Sequence, residues 1–226
     1  MKLLSEASSN AKMAKNTGAV TAILHLAPSD LSGYNVCPFA NRTGENDPRK
    51  SNCSRVCLNE AGRGKMKMVQ KARIRKTKMR FEEKDKFYKL LHEDIKFLIR
   101  RGKRLNLPVE IRLNGTSDLD WSDVQRQYPD VTWYDYTKTP KLLKNEYAHM
   151  VYSRHEGEGS EVIALNHVLN GGNSAVVFDK VPETYKGVKV INGDTTDRRT
   201  TDQRGTYVGL RAKGDAKHDT TGFVVR

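Results

Sequence analysis

Cys37, Cys53 and Cys57 are the three cysteines of this 226-residue chain, and all fall within one stretch, residues 21–64, TAILHLAPSDLSGYNVCPFANRTGENDPRKSNCSRVCLNEAGRG. Thiolates bind iron–sulfur clusters and zinc strongly. Cys53 and Cys57 are four apart, so on one helical turn they share a side and can share a metal. Cys37 would close the set from the end of the preceding strand. A four-iron cluster held by three thiolates keeps one iron without a protein ligand, and that iron can take a small molecule. Zinc is the alternative, and it would need His25, His155 or a carboxylate as a fourth ligand. An odd cysteine count argues against a closed disulfide framework. Gly33, Asn35, Pro38, Asn41, Gly44, Asn46, Asp47 and Pro48 mark the stretch as a long functional loop.

A second set of candidates sits where the chain alternates strand and polar tip. Asn114, Thr116 and Asp118 follow one apolar run, Asp135, Tyr136 and Lys138 close another, and Ser153 and His155 close a third. Asp135, Tyr136 and Lys138 suit acid–base work or an anion clamp. Asn114, Thr116, Asp118, Ser153 and Asp194 suit cofactor or substrate binding. Asp194, Asp197 and Asp202 lie in GDTTDRRTTD, where clustered acids suit a divalent ion and a metal-dependent nuclease, and the interleaved arginines suit an internal ion-pair network.

The elements that must carry these groups read as one α/β domain over residues 1–226. Residues 1–20 read as an irregular lead-in, and 21–26 as a short buried strand ended by Pro28. Residues 53–58 could open a helix. Residues 65–101 have a helical pattern with a break near 82–84; Phe87, Leu90, Leu91, Ile95 and Leu98 form its core stripe. Strands are expected at 109–113, 131–136, 148–152, 175–178, 188–191 and 207–210, with helices at 123–128 and 161–169 and a link at 140–145. Such alternation predicts a mostly parallel sheet, an open or partial (βα) barrel, with functional groups at the C-terminal strand ends.

The net charge of +13 has one main source. Residues 63–104 hold 17 Lys and Arg against five acids, a local excess of +12. Such a basic helical segment is a footprint for nucleic acid, nucleotide or another polyanion. No apolar run approaches the ~18 residues of a membrane span, and no secretory pattern opens the chain. A cytoplasmic protein with no membrane partner is expected.

Two resemblances follow from these residues. A three-cysteine loop after the first strand of an αβ sheet is similar to radical S-adenosylmethionine enzymes. That resemblance implies a 4Fe-4S cluster on Cys37, Cys53 and Cys57, with S-adenosylmethionine at the open iron. The cysteine spacing here, with fifteen and then three residues between, differs from that family's three and then two. The segments LHLAPSDLSGYNVCP, CLNEAGRG, RLNGTSDLDW, YDYTK and GLRAKGDAKHDTTGFV resemble the phage and prophage proteins called gene product 88-like. That resemblance spans nearly the whole chain, with a longer insertion at residues 41–52. It implies a phage-encoded protein acting in a bacterial cytoplasm, and it supplies no chemistry of its own.

Overall fold

A computed structural model describes residues 1–6, 18–42, 44–53 and 62–226 of the chain. Cys57 and the expected helix start after Cys53 lie outside the described residues. The described chain forms one continuous sheet. Its strands are β1 (Leu4–Glu6), β2 (Val20–Leu24), β3 (Val109–Arg112), β4 (Val131–Thr137), β5 (Ala148–Ser153), β6 (Asn173–Phe178), β7 (Thr184–Tyr185), β8 (Val188–Asn192), β9 (Thr206–Arg211) and β10 (Val224–Val225). The order across the sheet is β1-β2-β3-β4-β5-β6-β9-β8-β7, and β10 pairs with the far end of β6. β2 to β6 therefore lie side by side in chain order, and every pairing from β2 to β8 is parallel. The sheet is open, ending at β1 on one side and β7 on the other.

The helices follow from apolar spacing. α1 (Ser29–Ser32) is a single turn. α2 (Lys67–Glu82) and α3 (Lys84–Leu105) are separated at Glu83, whose φ of -130° and ψ of 55° leave the helical region. α3 buries Phe87, Leu91, Ile95 and Leu98 along one stripe, as their i, i+4 and i+3 spacing requires. Asn106 ends α3 in the left-handed region, just before Pro108. α4 (Ser122–Gln125) and α5 (Ser160–Leu169) complete the set.

Strand parity then sorts the side chains, because successive residues point to opposite faces. One face of the sheet carries Val20, Ala22, Leu24, Val109, Ile111 and Trp133, packed on α3. In register with these, Tyr152, Val176, Tyr207 and Val190 pack on Ala164 and Val168 of α5. Both long packed helices thus lie on the same face. The other face carries Val151, Ala175, Val208, Tyr136, Ile191 and Leu210. This second face also holds Glu110, Arg112 and Tyr134 by parity, with Lys138 one residue past the end of β4.

One sequence expectation needs correction. The lead-in is not irregular throughout. Leu4–Glu6 pairs antiparallel with β2, and the Asp94 carboxylate accepts the N–H groups of Leu3 (2.6 Å) and Leu4 (3.0 Å). A three-residue edge strand is too short to leave a periodic signal. In the sheet, β9 inserts between β6 and β8.

Candidate functional site

The C-terminal ends of the parallel strands gather one polar cluster around Lys138, which leaves β4. Its backbone N–H donates to Asp118 Oδ2 at 2.9 Å, and its Nζ donates to Ser153 Oγ at 3.1 Å. Burial alone would pull the Lys138 ammonium down. The nearby Cys53 sulfur, the Asp118 carboxylate, the Cys37 sulfur and Glu156 outweigh it, and the group lies above its ordinary value. Cys37 and Cys53 thus both add to the field on the partly buried Lys138 cation, although fifteen residues separate them in the chain.

Each neighbour is set by its own loop. Cys37 follows β2, and its Sγ points to the Thr116 carbonyl at 3.9 Å. Thr116 Oγ1 donates to the Leu26 carbonyl at 2.6 Å, tying the loop after β3 to the loop after β2. Gly115 makes that approach possible, since a Cβ there would lie 2.4 Å from Ile23 Cγ2 and 2.6 Å from the Leu24 oxygen. Asp118 is 8% exposed; its Oδ2 also accepts Thr139 Oγ1, and its Oδ1 has no hydrogen-bond partner among the described residues. Cys53 packs with Val177, Val224, Phe223 and Ala212 at the ends of β6 and β10.

The remaining sequence candidates divide. Asn114 uses its side chain within its own loop: Oδ1 accepts Ser117 Oγ, the Leu119 N–H and Trp121 Nε1, and Nδ2 donates to the Leu119 carbonyl. Asp135 lies on the helix-covered face by parity and accepts the N–H groups of Leu113 (3.1 Å) and Asn114 (2.9 Å). Burial pushes its carboxyl up to about 7 despite Arg112 and these donors. Tyr136 lies on the opposite face, where the Arg112 guanidinium stacks 4.5 Å from its ring centroid. Asp135 therefore braces the loop after β3, and Tyr136 and Lys138 share the face opposite α3 and α5.

The acids of GDTTDRRTTD meet cations. Asp194 accepts Lys213 Nζ (2.6 Å) and the Arg211 N–H (2.8 Å), Asp197 pairs with Arg112 (3.4 Å), and Asp202 pairs with the fully buried Arg199 (3.1 Å). Arg198 binds both oxygens of Glu110 at 3.0 Å, which fastens the segment across the face opposite α3 and α5. The ion-pair network expected from the interleaved arginines is therefore present. His25 Nδ1 is buried with no hydrogen-bond partner among the described residues, and burial lowers the ring to about 3. His155 sits beside Lys138, and burial and that ammonium hold it neutral, with its value also about 3.

Among the described residues no group of three His, Cys, Asp or Glu is arranged around a common metal position. Sequence reading missed Glu156, which binds the Cys53 loop from the turn after β5. Nothing in its local sequence marks it, because its partners lie 104 and 105 residues away. No helix among the described residues is long and apolar enough to cross a membrane.

Comparison with known proteins adds one match. No curated protein and no solved structure is significantly similar to the chain. One family model, described as Gene product 88, matches residues 2–226, and the chain belongs to that family.

Proposed function

We propose that this is a phage protein that binds an iron–sulfur cluster through Cys37, Cys53 and Cys57, similar to radical S-adenosylmethionine enzymes. The observation that carries this reading is the convergence of Cys37, held against the Thr116 carbonyl, and Cys53, packed against the cluster that contains Phe223, at the C-terminal strand ends around Lys138, whose Nζ lies 5.6 Å from the Phe223 ring centroid. Three thiolates around a cluster leave excess negative charge, and a buried cation beside them offsets it. The donor set also fits chemically, since two soft sulfurs stand at the same end of the sheet and Cys57 follows Cys53 by four residues in the sequence. When bound, such a cluster supplies one-electron reduction of a sulfonium ligand. The surrounding chain would do the rest. Lys138 and Ser153 bind an anionic ligand group, the unpartnered Asp118 oxygen accepts a ligand donor, and Thr116 holds the Cys37 loop in place.

The substrate class under this reading is a nucleotide or nucleic acid, supported by the cationic face of α2. Lys67, Lys71, Arg75 and Lys78 recur at i+4, i+4 and i+3 and are all exposed. The same stripe favours a second reading, a nucleic-acid-binding protein whose cysteines hold zinc for stability.

Elemental analysis of anaerobically purified protein tests both. Iron and sulfide in about equal amounts, with absorbance near ~400 nm, support the cluster. Stoichiometric zinc in a colourless protein supports the second reading. Cys53→Ala is expected to abolish metal binding, and unchanged metal content in that variant would refute both.

A further inference from the structure

Glu156 stands in the turn between β5 and α5, three residues past Ser153. The Lys138 ammonium is a charged neighbour of the Glu156 carboxylate, yet among the described residues no hydrogen bond joins that carboxylate to a Lys or Arg side chain. The carboxylate is committed to the cysteine loop instead. Oε1 accepts the Asn52 backbone N–H in a very short hydrogen bond, and Oε2 accepts Ser51 Oγ at 3.2 Å. The same Ser51 hydroxyl accepts the Cys53 backbone N–H at 3.0 Å. Ser51 is completely buried, so water does not compete for these bonds. An unbroken relay therefore runs from the Glu156 carboxylate to the backbone nitrogen of Cys53.

The turn holds the loop at two further points. The Glu158 N–H donates to the Pro48 carbonyl at 3.0 Å. Gly157 lies flat against Arg49, where a Cβ would come within 2.5 Å of the carbonyl oxygen. The loop is thus seated on the same turn that follows the Lys138 partner Ser153.

We propose that Glu156 is the positioning residue for the second cysteine. It fixes the backbone at Asn52 and Cys53, and with it the direction in which the Cys53 side chain leaves the loop. The metal-binding consequence rests on the cluster reading above; the positioning itself does not.

The test uses the full chain as wild type, Glu156→Ala, Glu156→Gln and Ser51→Ala. Iodoacetamide labelling of metal-free protein, read by peptide mass spectrometry, gives separate rates for Cys53 and Cys37. Loss of the relay in Glu156→Ala and Ser51→Ala should raise the Cys53 rate about tenfold, with Cys37 within about twofold of wild type. Glu156→Gln keeps an acceptor for the Asn52 N–H and should restore the slow rate. After anaerobic reconstitution, the alanine variant should lose iron or change its electron paramagnetic resonance signal, and the glutamine variant should match wild type. A Cys53 rate unchanged in Glu156→Ala overturns the proposal, and so does equal acceleration of both cysteines, which would report general loosening. Wild type that takes up no iron, with Cys53 reactivity still governed by Glu156, would refute the cluster and uphold the positioning role.

Discussion

His25, His149 and His155 are held neutral chiefly by burial, at about 3, 4 and 3. Their folded values lie below the ordinary 6.5, so the stability they contribute is present above pH 6.5 and is lost as pH falls. Asp135 acts in the opposite sense. Its value is raised to about 7, so its contribution is full below the ordinary 3.8 and is lost as pH rises through 7. Near pH 5 the unfolded chain binds three more protons on the histidines and one fewer on Asp135. The net difference of two gives a loss on the order of 3 kcal/mol per pH unit on acidification. Urea unfolding at pH 6 and pH 5 measures that slope, and His149→Gln should halve it. Asn114 carries a different lesson. As a polar residue at a strand tip it looks like a ligand group, but its four hydrogen bonds close on Ser117, Leu119 and Trp121. Asn114→Ala should cost about 2–4 kcal/mol, read as a fall in Tm, because it strands buried donors. Nothing in the sequence distinguishes an asparagine that braces its own loop from one that faces a ligand.

At the scale of elements, most strands and helices were legible, and the reason is periodicity. Alternating runs at 131–136 and 148–152 and the stripe of α3 match the observed β4, β5 and α3 closely. What stayed hidden depends on distant partners. β1 exists because Leu24 lies opposite Leu4 and because Asp94 and Lys76 clamp Leu3. Asp94→Ala should therefore free this edge while the rest of the sheet holds, seen as faster amide exchange confined to residues 3–6 and their partners on β2. The segment fastened by Arg198 was legible in composition and not in location. Its arginines and aspartates predicted ion pairs, but not that Glu110, on β3, would be one partner. Glu110 is 3% exposed, and removing its bidentate partner leaves a buried carboxylate. Arg198→Ala should destabilise the protein by about 3 kcal/mol in chemical unfolding, and Glu110→Gln combined with it should recover part of that loss.

At the scale of the molecule, chain-order pairing from β2 to β6 has a functional consequence. Right-handed crossovers between strands laid down in sequence put their helices on one side. Here α3 and α5 both cover that side, which leaves the cysteine loop, Thr116, Asp118, Lys138 and Ser153 to meet at the opposite rim. A reversal of strand order, as in doubly wound sheets, would have divided these groups between two faces. The sequence conveyed the alternation that produces this sheet. It did not convey parity, which is why Asp135 and Lys138 seemed partners though the pleat sends them to opposite sides. The same asymmetry governs charge. The helix layer carries most of the +13, and the rim is close to balanced, since Lys138 is met by Asp118, Glu156 and two sulfurs. A polyanion drawn to α2 would therefore bind by field more than by fit, and its affinity should fall steeply with salt. Replacing Lys67, Lys71, Arg75 and Lys78 together by Gln removes four exposed cations without touching the core. For single-stranded nucleic acid the slope of log K against log salt should become shallower by about 3, near 0.7 per cation removed. The wild-type metal content should be retained, because among the described residues no hydrogen bond or ion pair joins that stripe to Cys37, Cys53, Lys138 or Glu156. An unchanged salt slope in this variant would remove α2 as the docking face, whatever the cysteines hold.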